Sequence, residues 1–279
     1  MKPHVIKETL RTVITAWRLS LPENLRTTKV IITGGAIGSL LTGSKANDYD
    51  IYFTDKDAAT AIAKHYVGNK GAVERQTVQT LYGTEDDVLT IVIPSKGQWV
   101  APNRVLDNPE VYEPRFISRN AITLNNDIQL ITRFIGTPEY IHKHFDFRHA
   151  TNYYCYETNT LHLKVEALTD LMNKTLHYQG SLYPLASLFR LKKFLLREWR
   201  CTAGEIIKIA HQCSKIEWDN TCMMTEQLTG VDLAYMESLQ VALAQMTPEK
   251  RLDSYYVMEV IDRIFTNGRD DDETTESPT

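Results

Sequence analysis

Cysteine is scarce and unpatterned in this chain of 279 residues: there are four, Cys155, Cys201, Cys213 and Cys222, and no CxxC pair. Disulfide frameworks belong to small secreted domains, and closely spaced cysteines to zinc and redox centres. Both classes are set aside, and reduced thiols in a cytoplasmic protein are expected. Long apolar runs are missing as well. No stretch approaches the ~20 residues of a spanning helix. Lys7, Glu8, Arg11 and Arg18 interrupt the N-terminal apolar rhythm, which speaks against a signal peptide and a membrane role. Neither sign of charge dominates. A net charge of -4 announces no global attraction to nucleic acid, so any basic binding surface has to be local. No internal repeat is present. The last eleven residues, RDDDETTESPT, hold no apolar side chain and read as a disordered acidic tail.

What is present is an ordinary globular composition, 43% hydrophobic, in a chain long enough for one domain and a smaller companion. Val5, Leu10, Val13, Ile14 and Trp17 recur at helical spacing and predict a leading helix over residues 4–19, closed by Pro22. Residues 29–33 read as a β-branched strand, 35–41 as a short helix and 48–54 as a second strand, followed by a helix to Tyr66 capped by Asp55 or Asp57. Residues 88–93 form a further strand, and 94–118, with Pro94, Pro102, Pro109 and Pro114, a long surface excursion. Residues 121–134 are extended, Thr137-Pro138-Glu139 opens a helix, and 145–156 alternates as a strand. After residue 163 nearly everything reads as helix: 165–178, 182–199, 203–213, 232–245 and 248–265. The expected organisation is an N-terminal helix (1–24), an α/β head (25–163), a helical C-terminal domain (164–268) and the tail (269–279).

The chemistry concentrates in VIITGGAIGSLLTGSKANDYDIYF, residues 30–53. Gly34-Gly35 at the end of a buried strand lets backbone approach a phosphate and presents the next helix's N-terminus to it. In the second strand, Asp48, Asp50 and Tyr52 share one face while Tyr49, Ile51 and Phe53 point to the core. Two carboxylates ~7 Å apart repel by about 2 kcal/mol at an effective dielectric of ~20, so a rigid pair favours a cation between them. Mg²⁺ bridging to substrate phosphates is the natural candidate. The bland alternative makes Asp48 a turn residue and leaves Asp50 facing water. A dinucleotide-binding turn with Asp55 as its ribose acid is a rival reading; Gly43, Ser44 and Asn47 break the helix too early for it, and the third glycine is absent.

GGAIGSLLTG followed by Asp48-Tyr49-Asp50, with FDFRHATNYYCYETNTLHL further on, resembles the head domain of the nucleotidyltransferase superfamily. The likeness is to the branch of the tRNA CCA-adding enzyme and bacterial poly(A) polymerase, over residues 29–163. That resemblance implies an α+β fold, a mixed sheet flanked by helices followed by an all-helical C-terminal domain. It also implies two Mg²⁺ ions on Asp48 and Asp50, an NTP substrate, and attack of an acceptor hydroxyl on the α-phosphate. Gly34, Gly35 and Ser39 would meet the phosphates. Asp146 takes the aspartate position of the family's second motif and Asn152 lies near its asparagine. Gly38-Ser39 stand where the family has Arg-Asp, and no EDxxR motif is found. As the third acid Asp146 competes with Asp127, which follows Asn125-Asn126 as a turn residue would. The acceptor implied is an RNA or other nucleic-acid terminus, with a catalytically silent module that binds nucleic acid or a partner protein as the alternative.

His142, His144 and His149 cluster near Asp146 without zinc spacing and read as structural or surface histidines. In SLYPLASLFRLKKFLLREWR, Arg190, Lys193, Arg197 and Arg200 fall on one helical face: either solvated charge or a rail for acceptor or triphosphate, with Arg190 and Lys193 the candidate contacts.

Overall fold

Helix α1 (Pro3–Ser20) starts with proline in its first turn, where a missing N–H costs nothing, and its spacing of Ile6, Leu10, Ile14 and Trp17 lays all four side chains fully into the core. Trp17 is large enough to carry a polar atom inward, and its Nε1–H donates to the Tyr66 hydroxyl at 3.0 Å. The structure is a computed structural model that describes residues 2–68, 77–81, 88–92, 97–99, 112–118, 120–216 and 227. The expected helices at 232–245 and 248–265, the acidic tail and Cys222 lie outside the described residues. The chain divides into two compact units, Met1–Ser181 with Glu198–Lys208, and Leu182–Arg197 with Ile209–Thr279.

The first unit is α+β. Its first ten strands are β1 (Val30–Thr33), β2 (Tyr49–Phe53), β3 (Thr77–Leu81), β4 (Val88–Val92), β5 (Gly97–Trp99), β6 (Pro114–Ser118), β7 (Ala121–Leu124), β8 (Ile128–Ile131), β9 (Tyr153–Cys155) and β10 (Thr160–His162). Eight of them form one mixed sheet in the order β10-β9-β1-β2-β8-β7-β6-β5, and β3 and β4 pair separately. Only β2 and β8 are parallel neighbours in the large sheet. Helices α2 (Gly35–Thr42) and α3 (Lys56–Gly68) follow β1 and β2, and α4 (Pro138–His142) and α5 (Val165–Met172) come later. Asp55 Oδ1 accepts the Ala58 N–H at 2.8 Å and caps α3; Thr137 caps α4 through Tyr140 N–H.

Alternation decides what each sheet face holds. Val30, Ile32, Ile51, Phe53 and Tyr154 join the main core with α1, α2 and α3, while Ile31, Tyr52 and Ile141 form a second cluster on the opposite face. Thr33 and Asp50 belong by the same period to that second face, at the sheet end where the glycine turn begins.

Several expectations need correction. Residues 145–156 are not one strand: Phe147 makes an isolated bridge to Tyr178, and Arg148–Ala150 is a single 3-10 turn closed by Thr151 Oγ1 donating to Arg148 C=O at 2.8 Å. Only Tyr153–Cys155 then enters the sheet. The stretch 94–118 contributes β5 and β6 rather than an uninterrupted excursion. After residue 163 the chain is not purely helical. Lys174, at φ 48°, turns it out of α5 into β11 (Thr175–Leu176), which pairs in parallel with β12 (Arg200–Cys201). The unit that holds the sheet therefore runs past residue 163 to Ser181 and includes β12.

In the second unit α6 (Pro184–Leu196) buries Leu185, Ala186, Ser187 and Leu191, and the Gln227 side chain donates to Leu182 C=O at 3.1 Å. Helix α7 (Ala203–Cys213) falls across the division. Cys155, Cys201 and Cys213 are free thiols. No described helix is long and apolar enough to cross a membrane.

Candidate active site

The register of β1 against β2 brings the turn and the acids together. Ile32 pairs with Ile51, so continuing one residue sets Thr33 beside Asp50 and Gly34 beside Tyr49. Gly34 has φ 97° and ψ -149°, a conformation reserved in practice for glycine, and a Cβ placed on it would lie 3.2 Å from Asp50 Oδ2. The absent side chain is thus a cradle for the carboxylate. A Cβ on Gly35 would meet nothing within 4 Å, so the backbone there opens to solvent at the first turn of α2. The first N–H groups of that helix have no intrahelical partner and point where an anion is stabilised. Ser39 is half-buried one turn along, on the same face as Gly35. Helix α2 leans closely on α5, since a Cβ on Gly38 would come within 3.3 Å of Leu171 Cδ1. It ends at Gly43 in the left-handed conformation.

Asp48 is exposed and precedes β2 rather than starting it, whereas Asp50 lies within the strand and is half-buried. Burial, and after it the Asp48 charge, pushes the Asp50 carboxyl up from its ordinary 3.8 to about 7. Two hard-oxygen groups that feel each other's charge beside an open backbone turn form a donor set of the Mg²⁺ type. Among the described residues no group of three or more His, Cys, Asp or Glu converges as a metal cluster.

On the other side of β2, the parallel register puts Gln129 of β8 directly opposite Asp50, and Gln129 Nε2 donates to Thr123 Oγ1 at 3.2 Å. Sequence reasoning missed Gln129, because only the non-local pairing of β2 with β8 makes it a neighbour of the acid. Asp127, at φ 57° and exposed, is the turn residue before β8, and its C=O accepts the Tyr49 N–H at 2.7 Å. Asp146 is half-buried in the loop after α4, with Oδ1 accepting the Phe147 N–H at 3.0 Å. Its charge bears on His149, while the charge bearing on Asp50 is that of Asp48. Arg190 and Lys193 lie on α6 of the second unit, Arg190 half-buried and Lys193 exposed.

Beneath the turn lies a polar chain that the histidine spacing gave no means of finding. His142, 5% exposed, has Nε2 2.9 Å from Thr33 Oγ1 and Nδ1 3.0 Å from Lys164 Nζ. Thr33, wholly buried, donates to Asn152 C=O at 2.9 Å, and Gly34 N–H donates to Ala150 C=O at 3.1 Å. Asn152 Oδ1 accepts the Lys164 N–H at 2.9 Å.

A model of the Gabija anti-defense 2 family protein matches residues 5–174. The chain belongs to that family. It is 21% identical over 255 residues to the Gabija anti-defense 2 of Bacillus phage SPbetaL7, in an alignment covering 90% of this chain and 52% of the relative. The chain thus spans about half the length of the curated relative it matches. Among solved structures it is similar to the Thermotoga maritima CCA-adding enzyme complexed with tRNA, at 13% identity and TM-score 0.44, over 93% of this chain and 66% of that one. A complex of CCA-adding enzyme with ATP gives 13% identity and TM-score 0.42, over 90% and 55% of the two chains.

Proposed function

We propose that this member of the family is a metal-dependent nucleotidyltransferase that moves a nucleoside monophosphate from an NTP to an acceptor hydroxyl, with an RNA or other nucleic-acid terminus as the acceptor. One observation carries the reading: the side chain missing at Gly34 leaves room for Asp50, so that diglycine turn and carboxylate adjoin with 3.2 Å between the Cβ position and Oδ2. In this reading Asp48 and Asp50 hold Mg²⁺. When bound, Mg²⁺ supplies charge neutralisation of the triphosphate and of the attacking oxygen. The residues of the chain do the rest. Backbone at Gly34 and Gly35 admits the phosphates at the start of α2, and the Ser39 hydroxyl is within the same helix face. Asp146 is the proposed third acid, and Arg190 and Lys193 are proposed contacts for substrate. The protein acts in the cytoplasm, and the family name sets the transfer against a Gabija defence system.

The test is incubation of the full chain with each labelled NTP, Mg²⁺ and total RNA, alongside Asp48→Ala and Asp50→Ala. Incorporation by the parent and its loss in both variants supports the reading; turnover retained by Asp50→Ala overturns the metal site. The second reading, a silent module that binds nucleic acid or a partner protein, is favoured by Gly38-Ser39 in place of the Arg-Asp of the nucleotidyltransferase motif. It takes over if no NTP is incorporated into RNA or into protein from Gabija-bearing cells.

A further inference from the structure

We infer that His142 is a positioning residue for the glycine turn: held by Lys164 in a single tautomer, its Nε2–H fixes Thr33, the residue from which the turn springs. The substrate side of this inference rests on the nucleotidyltransferase reading; the ordering of the turn does not. Lys164 Nζ is an ammonium and can only donate, so His142 Nδ1, 3.0 Å away, must accept. The ring proton then sits on Nε2 and donates across 2.9 Å to Thr33 Oγ1. With one lone pair so occupied, the Thr33 hydroxyl directs its own proton to Asn152 C=O at 2.9 Å. Every donor in the chain points one way, from Lys164 through the imidazole to the end of β1.

The surroundings keep it so. Burial first, and the Lys164 charge second, hold His142 neutral by pushing its pKa down to about 3. The rings of Phe145 and Tyr153 pack on the imidazole at centroid distances of 5.2 and 5.6 Å and fix its plane. Thr33 is followed at once by Gly34, whose φ of 97° no ladder hydrogen bond of β1 dictates. A glycine there has wide freedom, and the turn holds one conformation only if both its flanks are tied. One tie is Gly34 N–H to Ala150 C=O at 3.1 Å, and the other is His142 on Thr33. Sequence ties the two ends as well, because His142 closes α4 and Lys164 opens α5, so two helices lock the same strand end.

The experiment compares His142→Leu, His142→Gln, Thr33→Val and Thr33→Ser in the full chain. Two quantities are read: backbone hydrogen exchange of the peptide over residues 33–40 without nucleotide, and equilibrium binding of Mg-ATP. Leu at 142 and Val at 33 are expected to speed exchange over 33–40 by about tenfold, with the β7–β8 hairpin unchanged, and to weaken Mg-ATP by about tenfold. Gln, which offers a donor and an acceptor in one side chain, and Ser, which keeps the hydroxyl, are expected to restore both to within about threefold. Exchange over 33–40 that stays as in the parent, or that rises uniformly across the sheet, overturns the inference in favour of a general packing role. If His142→Leu fails to fold, Lys164→Met, which removes the donor that fixes the tautomer and leaves the Thr33 bond to Asn152 C=O in place, decides the question through exchange over 33–40. A parent that binds none of the four Mg-NTPs, yet whose turn loosens locally in the variants, overturns the nucleotidyltransferase reading and leaves the positioning role standing.

Discussion

Two carboxylates of the first unit are withdrawn from solvent, and they are treated in opposite ways. Asp170, near the end of α5 and 2% exposed, has its charge answered within the protein: Arg148 Nε and Nη2 reach its two oxygens at 2.7 and 2.8 Å, and His177 Nδ1 lies 2.7 Å from Oδ1. Asp50 sits against a backbone cradle instead, and the neighbouring charge it feels most is another carboxylate. A buried acid held by a guanidinium fork is a finished structural element. One confronted with a like charge is favoured in its ionised form by a cation from outside, and that incompleteness is what supports the role proposed for Asp50.

The comparison breaks most visibly in activity. Removing either acid of the pair, as Asp48→Ala or Asp50→Ala, is expected to lower nucleotidyl transfer by roughly 10³-fold or more, several kcal/mol of transition-state stabilisation, in steady-state assays with labelled NTP. Circular dichroism and melting of both variants should match or exceed the parent. Asp170→Asn has the reverse profile. It strands the Arg148 guanidinium and is expected to cost about 3 kcal/mol in urea unfolding. Where enough protein stays folded, transfer per folded molecule is retained. A stable Asp170→Asn protein would mean that the Arg148 fork adds nothing to the joint between the 3-10 turn and α5.

How much of this contrast can be read from the chain alone follows from the range of the interactions. GGAIGSLLTG and the Asp48-Tyr49-Asp50 segment are local signals, and α1, β1, α2 and β2 sit within a residue or two of where periodicity and glycines put them. The alternation that sends Asp50 and Tyr52 to one face and Ile51 and Phe53 to the other is also local. Asp170 gave no signal, because its partners are 22 residues back at Arg148 and seven ahead at His177, across a bend at Lys174 that helical periodicity overran. Residues 145–156 alternate as a strand would, yet Thr151 and Ala150 spend their hydrogen bonds on a 3-10 turn and on Gly34 instead. His142 looked like one histidine of three. Only the fold shows it buried between Lys164 and Thr33.

A smaller effect sharpens the cradle side of the comparison. Gly34→Ala must accept φ 97° and set a Cβ 3.2 Å from Asp50 Oδ2, a contact tight enough that one of the two has to give. The expected loss is about 2 kcal/mol by chemical denaturation. Combining it with Asp50→Gly, which clears the space, should recover the contact part and leave the backbone strain. A double variant no more stable than the sum of the singles would mean that Gly34 and Asp50 do not touch.

The last expected effect is the pH dependence that Asp50 contributes. Its folded pKa, about 7, stands above the ordinary 3.8, so between those values the unfolded chain has lost a proton that the folded one still holds. The contribution of Asp50 to the stability of the metal-free protein therefore falls as pH rises through that window, its penalty absent below pH ~4 and complete above ~7, while His142 and His149, whose pKa burial lowers to about 3 and about 4, contribute with the opposite sign below pH ~6.5. The full separation corresponds to ~4 kcal/mol at most, and water reaching a half-buried carboxylate reduces this to roughly 1–2 kcal/mol. Asp50→Asn should remove this component and be the more stable protein at pH 8. Saturating Mg²⁺ should act in the same direction on the parent, because the ion binds the ionised pair and draws the proton off at lower pH. A difference between parent and Asp50→Asn in metal-free unfolding free energy that stays constant from pH 5 to 8 in the same buffers would mean that Asp50 is hydrated like any surface acid and that the cradle does not set its charge.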